Sequence, residues 1–77
     1  MIEQIKAHAK ANNLILSPTK FDNVVIGRRE DNPDYYIEYV AIGQELCAFP
    51  YGLMGIPLVN HQNKELVMDA DGVVSYQ

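Results

Sequence analysis

The run YYIEYVAI at residues 35–42 restricts the possible fold more than any other part of the chain. Side chains of an extended strand alternate between two faces. Tyr36, Glu38, Val40 and Ile42 therefore share one face, and Tyr35, Ile37, Tyr39 and Ala41 share the other. Both faces are largely apolar, so this strand needs cover on both sides and belongs inside a sheet. Its ends are marked as well. The preceding EDNPD (30–34) is a turn, because Asn before proline is held extended and proline presets the turn dihedral. Gly43 closes the other end.

A central strand needs neighbours, and the flanking sequence offers them. Residues 23–29 (NVVIGRR) read as a strand from their β-branched content, and residues 14–18 (LILSP) as a brief extended segment ended by Pro18. Residues 45–52 (ELCAFPYG) form a further strand, in which Pro50 requires an edge or a bulge. Residues 57–60, 65–69 and 73–77 read as three short strands, joined by connectors of hairpin length. Upstream, residues 2–13 read as a short helix. Ile2, Ile5 and Ala9 share one face at helical spacing, and Asn12-Asn13 is a natural stop because Asn tolerates the left-handed cap. His8 lies beside that stripe as half-buried packing. The expected architecture is a single α+β domain over residues 1–77: one N-terminal helix packed on a small antiparallel meander of about four to five strands.

Size and charge then bound the function. A chain of 77 residues that is 48% hydrophobic is too rich in apolar side chains for disorder, yet has little interior to hold them. Apolar surface is left over, which favours self-association. The net charge of −4 argues against non-specific nucleic-acid binding. The charge is uneven, however. Lys6, Lys10, Lys20, Arg28 and Arg29 face only Glu3 and Asp22 within residues 1–29, whereas Lys64 faces eight carboxylates within residues 30–77. Cys47 is the single cysteine, so no intrachain disulfide forms. No apolar signal-like region opens the chain, and the longest apolar tract (47–59) is short and broken by proline and glycine. A reduced, cytoplasmic protein without a membrane span is expected.

Residues 66–75 (LVMDADGVVS) carry the most motif-like stretch. It resembles the first motif of haloacid dehalogenase-type phosphatases, in which a strand ends in Asp-x-Asp-Gly. That resemblance implies a nucleophilic Asp69 and an acid/base Asp71. It covers about ten residues, and the phosphate-binding and Mg²⁺-binding residues that such a site draws from downstream strands have no counterpart here. An EF-hand frame with Gly72 at its glycine position would begin on apolar Val67 where an acidic ligand is required. Asp71-Gly72 between β-rich flanks is instead a hairpin turn. No catalytic residue, metal ligand or cofactor is expected.

The tyrosines point to contact rather than chemistry. Tyrosine joins a large apolar face to a polar tip, which suits partly wet interfaces. Tyr35 and Tyr39, together with Phe49, Tyr51, Leu53 and Met54, form the expected interface patch. The leading expectation is a small acidic interaction module, inhibitor-like or adaptor-like, that is homodimeric, binds another protein and has no catalytic activity. One alternative is a small-ligand binder or minimal enzyme with a pocket near Cys47, Tyr51 and His61. Another is a regulatory nucleic-acid binder using Lys6, Lys10, Lys20, Arg28 and Arg29, which requires those five to converge on one face.

Overall fold

The computed structural model describes residues 2–77. Helix α1 (Ile2–Ala11) is followed by strands β1 (Leu14–Pro18), β2 (Val24–Arg29), β3 (Tyr36–Ile42), β4 (Glu45–Pro50), β5 (Ile56–Pro57), β6 (Leu66–Met68) and β7 (Val74–Tyr76). Strands β1 to β5 form one antiparallel sheet in sequence order, so β3 is its middle strand. Strands β6 and β7 form a separate two-stranded sheet rather than extending the meander. An isolated bridge between Val59 and Glu65 ties that hairpin to the segment after β5.

Local chemistry explains the element ends. Asn13, two residues beyond the end of α1, takes a left-handed φ of 57°, as a helix-terminating Asn does. The Asn32 side chain accepts the Asp34 N–H at 3.1 Å, and its carbonyl accepts the Tyr35 N–H at 3.0 Å, turning the chain into β3. Pro50 ends β4 beyond the two residues, Cys47 and Ala48, that pair with β5. Its missing N–H therefore costs no ladder bond.

The β6–β7 turn is built around Asp69. Its carboxylate Oδ1 accepts the N–H groups of Asp71 and Val73 at 2.9 and 3.0 Å, and its carbonyl accepts the Gly72 N–H at 3.0 Å. The residue at the nucleophile position of the phosphatase-like motif thus organises a reversal. Gly72 is the residue that turns left-handed, with φ 78°.

One face of the large sheet is the core. Ile37 and Tyr39 from β3 and Ala48 from β4 are fully buried there, with Leu14 from β1, Ile5 and Ala9 from α1, and Leu66 and Met68 from β6. Gly27 on β2 lets the Tyr39 ring and Leu14 approach its Cα, where a side chain would crowd both. The buried helix face differs from the expected stripe: Ile2 is exposed, whereas Ile5, His8, Ala9 and Asn12 are buried. Two of those four are polar, and a hydrophobic pattern does not register them.

Candidate interaction surface

The polar side chains that face the core serve one purpose. Leu66 and Met68 direct their backbone groups away from β7, toward α1 and β2, where beyond the Val59–Glu65 bridge no described strand pairs with β6. Each group is matched individually. Leu58 C=O accepts the Leu66 N–H at 2.8 Å. The His8 Nε2–H donates to Leu66 C=O at 2.7 Å, and the Met68 N–H donates to Asn12 Oδ1 at 2.9 Å. Arg29 Nη1 donates to Met68 C=O and to Asn12 C=O, each at 3.1 Å. His8 and Asn12 stand one helical turn apart, so the helix supplies a side-chain substitute for a neighbouring strand. Arg29 completes its set with a two-pronged pair to Asp31, at 2.7 Å from Nε and 2.9 Å from Nη2. That pairing keeps the guanidinium charged and holds the Asp31 carboxyl below its usual range.

His8 is held neutral. Its Nε2 carries the proton given to Leu66 C=O, which leaves the Nδ1 lone pair to accept the Tyr39 hydroxyl at 2.6 Å. Burial pushes the imidazole below its ordinary value of 6.5, against smaller opposing effects of the Leu66 carbonyl and the Glu65 carboxylate. Burial also pushes the Tyr39 phenol well above its ordinary range. In the unfolded chain His8 takes a proton near its ordinary value, while the folded chain resists it until lower pH. Stability is therefore full above about pH 6.5 and falls as the pH drops toward the folded-state value. Urea midpoints measured from about pH 7.5 down to about pH 5 should decline for the wild type, and His8→Gln should lose that part of the decline. Equal slopes for the two proteins would remove the neutral-imidazole assignment.

Among the described residues no helix lies over the opposite face of the large sheet. Strand alternation and register place Ile15 and Ser17 on β1, Val24, Ile26 and Arg28 on β2, Tyr36, Glu38, Val40 and Ile42 on β3, and Glu45, Cys47 and Phe49 on β4 on this outer face, with Val24, Ile26, Val40, Cys47 and Phe49 half-buried. Ile15 is 57% and Ile42 55% exposed. The loop after β4 borders one end. The Phe49 ring packs on Gly55, and the Glu38 carboxylate leans toward Gly52 beside the Tyr36 hydroxyl. Within that loop Leu53 and Met54 are 81% and 73% exposed.

The six patch residues expected from the sequence separate accordingly. Phe49, Leu53 and Met54 lie on or beside the outer face. Tyr51 sits at its end, with its ring edge-on to Tyr36 at 5.5 Å and its hydroxyl donating to Gly72 C=O at 2.6 Å. Tyr35 is half-buried against Gly72. Tyr39 is a correction: it shares the face of Tyr35 and Ile37, that face is the core, and its exposure is 0%. The outer-face residues Val24, Ile26 and Val40 escape a search that weights tyrosine. The signal that would have found them is the even-numbered alternation running through β2 and β3.

The residues of the two alternative readings do not assemble. Cys47 lines a cavity of roughly 490 Å³ with Leu46, Ile56 and Leu58, but neither Tyr51 nor His61 reaches it. His61 is exposed in the turn between β5 and β6. Among the five cations, Arg29 is buried on the core side, and Arg28 lies on the outer face over the Tyr36 ring at 4.9 Å. Lys6 and Lys10 line a groove beside β1, and Lys20 covers the Phe21 ring at 5.2 Å. Among the described residues no helix is long and apolar enough to cross a membrane. Compared with known proteins, the chain matches no protein-family model, no curated protein and no solved structure.

Proposed function

We propose that the chain is a non-catalytic protein–protein interaction module, working in the reducing cytoplasm as a homodimer that presents an acidic surface to a partner. The observation that carries this reading is the apolar band across the outer face of the large sheet, which no helix covers among the described residues. The solvated face of an antiparallel sheet ordinarily alternates to polar side chains, and an apolar band on it is the feature a packed second layer would cover. Here Val24, Ile26, Val40, Ile42 and Cys47 adjoin one another, and the Glu38 carboxylate leans away from them toward Gly52. A standard interface takes about 800 Å² from each partner, roughly one-sixth of the 5133 Å² surface of this chain. Five strands about 4.8 Å apart, with the Leu53–Met54 loop at one end, span a footprint of that order. A second copy would convert the open sheet into a two-layer sandwich. The surplus of carboxylates then suits a third protein with a basic site, in the manner of an inhibitor or adaptor.

Light scattering at low micromolar concentration tests the homodimer. The expected mass is twice the 8.7 kDa of one chain. Ile42→Glu combined with Leu53→Asp places charge at opposite ends of the face, on side chains already exposed, and should yield a folded monomer. A monomeric wild type would overturn the dimer, and a variant that stays dimeric would move the seam to another surface.

A further inference from the structure

One edge of the large sheet lies at β1, where the outward backbone groups pair with no strand and a groove opens beside them. Strand β1 pairs only with β2. The Arg29 N–H donates to Tyr35 C=O and the Ala41 N–H to Asn23 C=O, so odd-numbered residues of β2 face β3. The Glu30 N–H donates to Asn13 C=O, so even-numbered residues face β1. By the pairing register, Ile15 and Ser17 spend their backbone groups on β2. The N–H and C=O groups of Leu14 and Leu16, and the C=O of Pro18, therefore point outward. A groove of roughly 390 Å³ runs along them, lined by Lys6, Ala9 and Lys10 of α1, by Leu14 and Leu16, and by Glu30. The only ion pair among the described residues joins Arg29 and Asp31, so neither groove lysine is spent on a carboxylate.

We propose that this edge binds an extended acidic segment of a partner protein by β-augmentation. The backbone groups of Leu14 and Leu16 would extend the ladder by one strand. Side chains of the segment that share the α1 side of the sheet would enter the groove, an apolar one over Ala9 and Leu16 between acidic ones that meet Lys6 and Lys10. Two ammonium groups against the single Glu30 set the sign of the partner. A second copy of β1 fits less well, because a two-fold pairing of β1 with itself brings both lysine pairs to one seam. Pro18 ends the edge, so the ladder is short and the affinity moderate. The edge is separate from the outer sheet face, so this site stands or falls independently of the homodimer.

The test uses the full chain and a peptide about eight residues long with Glu, Val and Glu at successive alternate positions and Thr between them, so that Val and Glu share one face. Titration of ¹⁵N-labelled protein should move the Leu14 and Leu16 amides and slow their hydrogen exchange. Binding measured by anisotropy should weaken roughly tenfold in Lys6→Glu/Lys10→Glu, whose positions are exposed and whose folding is checked by circular dichroism. The same peptide with alternate amides N-methylated, or with Glu replaced by Lys, should not bind. Equal binding of the Lys peptide, or amide shifts away from β1, would overturn the proposal. Protection of Leu14 and Leu16 that grows with protein concentration in the absence of peptide would also overturn it, by making a second copy the occupant.

Discussion

Replacing Arg29 with methionine should cost about 2–5 kcal/mol of folding stability, because two buried carbonyl groups, those of Asn12 and Met68, lose their donor. The methionine keeps the length of the stem, so the loss reads polar satisfaction rather than volume. A domain of 77 residues has roughly 4–12 kcal/mol in total, so this one change removes a large share. Asp31→Asn separates the components. It removes the counter-charge from a guanidinium that still holds both carbonyls, and should cost less than the methionine variant. Urea denaturation at neutral pH measures both, and equal costs would mean that the ion pair rather than the carbonyl contacts carries the stability.

Gly72→Val should cost a comparable amount, about 2–5 kcal/mol. A β-branched residue is strained at φ 78°, and its Cβ would collide with the Tyr51 hydroxyl and the Tyr35 ring, so overpacking adds to backbone strain. Either the Asp69 turn opens or both tyrosines shift, and the Tyr51 bond to Gly72 C=O is lost. Gly72→Ala retains the collision in smaller form and should fall between the wild type and valine. Full stability in the valine variant would show that the turn is not held as described.

Both variants act on contacts of very different legibility. The hairpin at Gly72 is readable in the sequence because turn chemistry is local: Asp, Gly and their β-rich flanks act within a few residues. The central place of β3 is readable too, since alternation shows that both of its faces are apolar. Alternation does not say which face is inside. Tyr39 and Tyr36 look equivalent along the chain, and only the cover supplied by α1 and β6 puts Tyr39 in the core and Tyr36 outside. The polar seam is less readable still. Asn12 and Met68 are 56 positions apart, and His8 and Leu66 are 58 apart, so their pairing exists only once the sheet has formed. Asn12 reads as a helix stop from its neighbours and works as a strand partner in the fold. The division of the meander into two sheets has the same origin, because β6 turns its free edge to helix side chains rather than to another strand.

The proposed interaction surface follows from that division. With α1, β6 and β7 all gathered on one face of the five-stranded sheet, no described helix or strand remains to cover the other. The most direct measurement of whether a second copy does so is an isotope-filtered NOE experiment on a mixture of ¹³C-labelled and unlabelled chains. Intermolecular NOEs are expected at the methyl groups of Val24, Ile26 and Val40, with none at Ile5 or Leu66 in the core. Intermolecular NOEs confined to other surfaces, or none at concentrations well above the micromolar range, would contradict the homodimer seam.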